Sequence, residues 1–465
     1  MRLTLYGGAG EIGGNKILLE TKSTRIFLDF GIRYSVRAMY FGAFLQPRRF
    51  SLLSDYLLTG ILPPVRGIYS RELLGEGLDS LDSDAPAVDA CIISHAHLDH
   101  SGHASFLRED IPLYMGEGAR VLIRAREMVR NPSPEHLFNR GRSRGERLCQ
   151  TFRTGSRITV GDIVLHPIHV DHSIPAAYGF IIETPEKTLA YTGDFRLHGP
   201  MGWMSREFIE ACGEKAVEAL LVEGTRVGDD KRFTEEDVRR EMTSLMSSSH
   251  GKMVAVVVGS LDFDRLKTVL EASQASGRTL VVSLHHAHIL KHLAGGGLRM
   301  DVPRMAEDVL MAYQKRRGSG KYEPADYSGW MAELVEDPTI PLLRDADISS
   351  RPDRYVLALS RAEDIIELAD LRPPPGSPFI LSTSEAHSEE QVLEQEKILN
   401  WATLLNMRFH HIHASGHASA GDLIESIERI NPEKVIPIHT ENPHLFRKNL
   451  QMEVEIPRTG EALEL

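Results

Sequence analysis

Cysteine is scarce: Cys91, Cys149 and Cys212 are the only three in 465 residues, and none forms a CxxC pair. A disulfide framework is thereby excluded, and a reduced, cytoplasmic protein is the expectation. Positive charge is also short, with a formal net charge of −12. Such a chain cannot hold nucleic acid by bulk electrostatics, so any polyanion must meet a local patch. Long apolar runs are absent too; stretches such as "MVAVVV" from Met253 to Val258 are far too short to span a bilayer, and no membrane association is expected. The opening "MRLTLYGGAGEIGGN" lacks a charged n-region and a long apolar h-region, so no signal peptide is expected. Repeats and low-complexity tracts are likewise missing, while the length exceeds what one hydrophobic core usually supports. Two domains are the natural starting point.

Residues 1–32 read as short strands joined by glycine turns, with "TRIFLDFG" delivering Asp29 at a strand end. Residues 33–87, rich in Tyr, Arg, Pro, Gly and Ser, read as a long loop with short helical pieces, a lid or an insertion beside a site. "AVDACIIS" is a buried strand, and Arg157 to Tyr191 reads as antiparallel hairpins separated by "VGD" and "TPEK". The pattern then changes. Thr234 to Ser249 reads as a helix opened by Thr234 with Asp237 three residues on, and the strand, helix and strand from Lys252 to Leu284 imply a parallel sheet. Residues 293–352 resist assignment, and "RPPPGSP" at Arg372 to Pro378 resembles a linker. The expected architecture is α/β: a domain from residues 1–204 and 379–465, interrupted by an inserted domain at 205–378.

Chemistry concentrates in "SHAHLDHSGH", residues 94–103. His95 and His97 lie two apart, so on an extended segment both imidazoles face one side and can share a metal. Asp99 and His100 follow where the chain should turn into a helix and would serve a second position. Two divalent ions about 3.5–4 Å apart, sharing a hydroxide, suit hydrolysis of a phosphodiester. The imidazole-rich, thiolate-free set favours zinc, and manganese stays open because carboxylates are present. His103 lies outside the spacing and is expected to be structural, as are the strand histidines His166 and His169. "HHAHILKH", His285 to His292, reads as a strand end and helix start rather than a further metal site.

The H-x-H-x-D-H pattern resembles that of the metallo-β-lactamase superfamily, whose fold is an αββα sandwich. By that resemblance Asp29 in "LDFG" orients the histidine loop, His172 in "VDHSIP" completes the first ligand set, and Asp194 in "YTGDFR" bridges the two metals. Beyond Asp194, "LLVEGT" with Glu223, "ASGHAS" with His417 and "IPIHTE" with His439 resemble motifs A, B and C of the β-CASP group, which processes nucleic acids through an inserted domain. The resemblance implies that His439 completes the second ligand set alongside Asp99 and His100, that Glu223 buttresses it, and that His417 contacts the scissile phosphate and protonates the leaving oxygen. It also makes Asp99 the residue that orients the attacking hydroxide.

"GGAGEIGGN" and "HASGH" look most like ribonuclease J. In that family the residues before the motif B histidine form a pocket for a 5′-terminal phosphate; His413 and Ser415 match those positions, and Gly416 and His417 join them as candidate substrate contacts. Single-stranded RNA is the substrate so implied, cut as a 5′–3′ exonuclease with or without endonuclease activity, by a homodimer. Arg196, Arg226 and Arg265 are candidate backbone contacts in a cleft between domains, beside the commoner role of solvated surface charge. The sequence departs from the family in stopping soon after motif C, in its 33–87 insertion, and in "SEAHSEEQ" where a Gly-Asn-Glu turn is common. A small-molecule metallohydrolase would lack Glu223, His417 and the inserted domain, and a non-catalytic scaffold would have lost ligands that are all present here. A DNA nuclease of the group typically replaces the motif C histidine, so His439 points to RNA.

Overall fold

The computed structural model describes residues 1–140, 145–295, 302–305, 309–384 and 389–465. Two compact units emerge, one formed by Met1–Arg232 with Gly416–Leu465, the other by Phe233–Ser415.

The first unit holds two seven-stranded sheets. One runs in the order Ala462–Glu464, Arg2–Gly7, Lys16–Glu20, Arg25–Leu28, Ala90–Ile93, Leu113–Gly116, Gln150–Phe152. The other runs Glu453–Val454, Lys434–Ile438, Ala219–Glu223, Thr188–Tyr191, Ala177–Glu183, Ile163–Val170, Ile158–Val160. Alternation along the strands decides which side chains meet. Leu3, Leu5, Ile17, Leu19, Ile26 and Leu28 of the first sheet share one core with Leu165, Phe180, Ile182, Leu189 and Tyr191 of the second. Each such side chain, taken fully out of water, contributes about 1.5–3 kcal/mol. On the far face of the second sheet, Val170, Ile181, Leu220 and Val435 pack against Phe208 and Ile209 of helix Gly202–Glu214 and Leu423 and Ile427 of helix Ala420–Ile430. The result is a two-sheet α/β sandwich, the architecture that the sequence resemblance implies.

The second unit is built on a sheet in which every pairing is parallel: Leu342–Leu343, Met311–Tyr313, Thr279–Ser283, Tyr355–Leu359, Val254–Val257, Pro378–Leu381, Arg408–His411. Helix Glu235–Ser248 opens with the full capping box, Thr234 accepting from Asp237 N at 3.1 Å while Asp237 accepts from Thr234 N at 3.0 Å.

Both domain boundaries differ from the expected 205 and 378. Ala219–Glu223 lies between Thr188–Tyr191 and Lys434–Ile438 and bonds to both in parallel, so residues 205–232 complete a sheet of the first unit. Pro378–Leu381 joins Val254–Val257, and Arg408–His411 then joins it, so "RPPPGSP" is a turn inside the second unit rather than a linker. The 33–87 insertion does carry short helices, Tyr34–Tyr40 and Leu52–Leu58. Residues 385–388 of "SEAHSEEQ" and residues 296–297 of "GGG" lie outside the described residues.

Candidate metal centre

Strand topology gathers the chemistry at one edge of the first unit. Thr188–Tyr191, Ala219–Glu223 and Lys434–Ile438 run parallel, so Asp194, Glu223 and His439 all fall at carboxyl ends of neighbouring strands. Arg25–Leu28 and Ala90–Ile93 are parallel likewise, which brings Asp29 and the loop from Ser94 together. Asp29 at φ 59° and His439 at φ 51° both occupy the left-handed region, an unfavourable conformation for residues with a Cβ and one that concentrates at functional sites.

Two sets of groups converge. His95, His97, His172 and Asp194 form one; Asp99, His100 and His439 form the other; Asp194, His417 and His439 are also mutually close, each set with its ligand atoms within 4.8 Å. Asp194 Oδ2 is the common member, 3.1 Å from His100 Nε2, 3.5 Å from His439 Nε2, and 3.8 Å from both His95 Nε2 and His172 Nε2. His439 Nε2 lies 3.2 Å from Asp99 Oδ2.

The hydrogen bonds behind these atoms fix which nitrogen faces inward. His172 Nδ1 donates to the Gly416 carbonyl at 2.7 Å, leaving Nε2 bare. Ser94 Oγ donates to Asp29 Oδ2 at 2.7 Å, so it can only accept from His95 Nδ1 at 3.0 Å, and His95 Nε2 is bare as well. Both bare nitrogens stand 3.1 Å from His97 Nδ1. Burial keeps His97 neutral by lowering its pKa to about 4, and it pushes His95 and His172 further down than their imidazole neighbours do. Three neutral imidazoles crowding their nitrogens together is the donor geometry of a cation site. On the other side, burial opposes charge on His100, but Asp194 and Asp29 overcome it and hold the imidazole well above its ordinary range. Burial also opposes charge on Asp99, yet His100 and His439 hold its carboxyl below the usual range. Asp194 Oδ1 and His100 Nε2 are buried without a hydrogen-bond partner among the described residues; the latter is close to Asp194 Oδ2 but not aligned to donate. Orphaned buried atoms of this kind need a partner, and the set fits a metal.

Beside it, His417 Nδ1 meets Glu223 Oε1 at 3.2 Å, and its ring lies 5.0 Å from that of His172 and 5.5 Å from that of His439. Burial alone would discharge His417; the Glu223 carboxylate reverses this and raises its pKa above the ordinary value. Gly416 has no room for a side chain, since a Cβ would sit 2.6 Å from Ser173 Oγ. Ser415, half-buried, is the last residue of the second unit.

Residues 70–286 match the Beta-lactamase superfamily domain, and residues 404–457 match the Zn-dependent metallo-hydrolase RNA specificity domain. By these two matches the chain resembles the metallo-β-lactamase superfamily. Within this superfamily it resembles ribonuclease J of the β-CASP group. Ribonuclease J of Sinorhizobium meliloti is 24% identical over 81% of the chain and 63% of its own length. That of Helicobacter pylori strain J99 is 22% identical over 96% of the chain and 57% of its own length. The chain thus spans roughly three-fifths of these curated relatives. A protein of unknown function from Enterococcus faecalis V583 has the same fold, with a TM-score of 0.77 at 22% identity over 100% of this chain and 99% of that one.

The three arginines read as candidate RNA-backbone contacts all bond within the protein. Arg196, 1% exposed, bonds Asp171 next to His172. Arg265, also 1% exposed, donates two hydrogen bonds to the Glu235 carboxylate at 2.7 and 3.0 Å, and donates to Ser382, Ala414 O and His413 Nδ1. Because guanidinium only donates, His413 Nδ1 must be an acceptor, which leaves its proton on Nε2. Arg226 bonds Asp229 and the His417 carbonyl. His103 is buried against Tyr56 and Phe106, and His166 pairs with Glu183. His169 bonds Thr154, and His286 on helix Leu284–Gly295 bonds Val258 O.

Sequence reasoning missed the groups that hold the candidate ligands. Tyr191 donates to Asp29 and receives Asn15 Nδ2 at 3.1 Å; Thr225 Oγ1 meets His439 Nδ1 at 2.8 Å. The only signals were positional: Tyr191 opens "YTGD", Asn15 closes "GEIGGN", and Thr225 closes "EGT". The glycines serve Asp99: at Gly13 (φ +77°) a Cβ would stand 2.6 Å from Asp99 Oδ2.

Proposed function

We propose that this chain is a metal-dependent ribonuclease that degrades single-stranded RNA from its 5′ end, with His95, His97, His172 and Asp194 holding one divalent ion and Asp99, His100, His439 and the shared Asp194 a second. The observation that carries the reading is the ion-paired His417–Glu223 beside two converging ligand sets that meet at Asp194. Zinc suits the imidazole-rich, thiolate-free donors, with manganese the alternative. When bound, the two ions supply a nucleophile at neutral pH and neutralise charge on the phosphoryl oxygens.

The chain's own residues do the rest. Asp29 accepts from His100 Nδ1 at 2.7 Å and so aims Nε2 inward. Asp99, next to His439 Nε2 and ionised, accepts the proton of the attacking water and orients it. His417, charged beside Glu223, donates to a non-bridging phosphoryl oxygen and returns a proton to the leaving 3′ oxygen. Products carry a 5′ phosphate. The names of the relatives and the match of residues 404–457 to an RNA specificity domain support RNA as the substrate. A reduced, cytoplasmic setting and a homodimer belong to the same reading.

The test incubates the metal-loaded protein with 5′-monophosphate, 5′-triphosphate and circular RNA. Stepwise mononucleotides from the monophosphate form are expected, and cleavage of the circle would sink a purely exonucleolytic reading. His97→Ala and Asp194→Ala should abolish cleavage, whereas activity surviving in them refutes the ligand assignment.

A further inference from the structure

The 33–58 stretch combines two features in one short segment. It carries four arginines (Arg33, Arg37, Arg48, Arg49) against one acid, Asp55, in a protein of net charge −12; Arg33 pairs with Glu11 at 2.7 Å and Arg37 with Glu135 at 3.4 Å from outside the stretch. It also carries seven of the sixteen large hydrophobic side chains that stand exposed among the described residues, including Phe50 at 101%, Phe44 at 96% and Met39 at 72%. Isolated exposed apolar groups are ordinary, whereas a cluster marks an interaction surface.

The display is built rather than loose. Leu52, Leu53 and Tyr56 are buried beneath it, Tyr56 Oη donates to Glu135 at 2.7 Å, and Phe41 packs on Tyr56 with ring centroids 6.1 Å apart. Arg48 is tied to Asp55 through its backbone N at 2.7 Å and its guanidinium at 3.0 Å, with 69% of its side chain still exposed. Gly42 N closes a turn onto Leu45 O at 3.0 Å, which projects Phe44 between them. The segment begins at the metal centre: Ile32 N bonds Leu98 O at 2.9 Å, and Arg33 follows at once.

We propose that residues 33–58 form a stacking platform for single-stranded RNA, with Phe44 and Phe50 receiving bases and Arg48 and Arg49 facing phosphates; this rests on the ribonuclease reading above. Aromatic faces interleaved with arginine are what a single strand recognises without regard to sequence. Arg49 and the exposed head of the Asp55-paired Arg48 are the charges the stretch leaves to complement a polyanion.

The test is fluorescence anisotropy with a labelled single-stranded RNA of about a dozen nucleotides, in an Asp194→Ala background that leaves the strand intact. Phe44→Ala and Phe50→Ala should each weaken binding by about tenfold, and Arg49→Gln should make the dependence on salt shallower by about one ion. All three side chains are exposed, so melting temperatures should not move. If the parent binds RNA and the triple variant binds equally well, the platform is overturned while the ribonuclease reading survives. If the parent binds no RNA, the ribonuclease reading itself falls. Loss of self-association in sedimentation, or of binding to anionic lipid vesicles, with RNA affinity unchanged would assign the surface elsewhere and overturn the proposal.

Discussion

Replacing Asp29 by Asn tests the ligand-orienting network at its narrowest point. Asp29 accepts from Ser94 N at 2.6 Å, Ser94 Oγ at 2.7 Å, His100 Nδ1 at 2.7 Å and the Tyr191 hydroxyl. An asparagine of the same shape keeps one accepting oxygen, which the Ser94 N–H will claim, and turns an amide NH2 toward the position that now accepts the other three. His100 Nδ1–H would then face N–H, so the ring is driven to the tautomer whose proton sits on Nε2, the nitrogen aimed at Asp194. That removes a lone pair from the second ligand set. One charge-assisted hydrogen bond is worth about 1.5–3 kcal/mol, which converts to a roughly 10- to 150-fold weaker grip on metal at about 1.4 kcal/mol per decade. Loss of such a supporting partner typically costs 10- to 100-fold in metal affinity, in agreement. Competition against a chromophoric chelator reads this directly, with melting of metal-free protein as the check that the fold persists. An affinity within about threefold of wild type, by the same conversion, would refute the claim that Asp29 sets the tautomer.

Other outcomes follow from the same contacts. Arg265→Met should destabilise the chain by about 3–5 kcal/mol in urea titrations, since Glu235 is left charged and buried, and adding Glu235→Leu should restore much of the loss. Thr234→Ala, which removes the capping box of helix Glu235–Ser248, should cost about 1 kcal/mol in the same measurement. Gly13→Ala should lower metal stoichiometry by pressing on Asp99, which atomic absorption reads; two full equivalents of metal would contradict it. His286 is buried, accepts from Ser283 Oγ and donates to Val258 O, and burial lowers its pKa to about 4 from 6.5. Its contribution to stability is therefore complete above about pH 6.5 and fades as pH falls toward 4, by about 3 kcal/mol in all; His286→Gln should flatten that part of the stability–pH curve by one proton.

What the sequence made legible was whatever repeats as a local pattern. The H-x-H-x-D-H spacing, the strand ends bearing Asp29 and Asp194, and the capping box at Thr234 each depend on neighbours in the chain, and the structure brings these residues where their spacing suggests. Pairing partners far apart in sequence were not legible. Nothing in "EALLVEGT" says that its strand bonds both Thr188–Tyr191 and Lys434–Ile438, and that pairing is what moved the domain boundary past 205. The same limit explains the arginines. Arg265 has the composition of a surface cation, and only the parallel sheet that sets it beside Glu235, Ser382 and Ala414 turns it into a buried strut for the loop entering "ASGH". Tyr191 is the sharpest case: it is an inward residue of an ordinary alternating strand, and its hydroxyl acquires a role because Asp29 arrives from more than 160 residues away with the Oδ2 that also accepts from Ser94 and His100. A ligand set can be read from its donors. The groups that aim those donors can be read only once the sheets have closed.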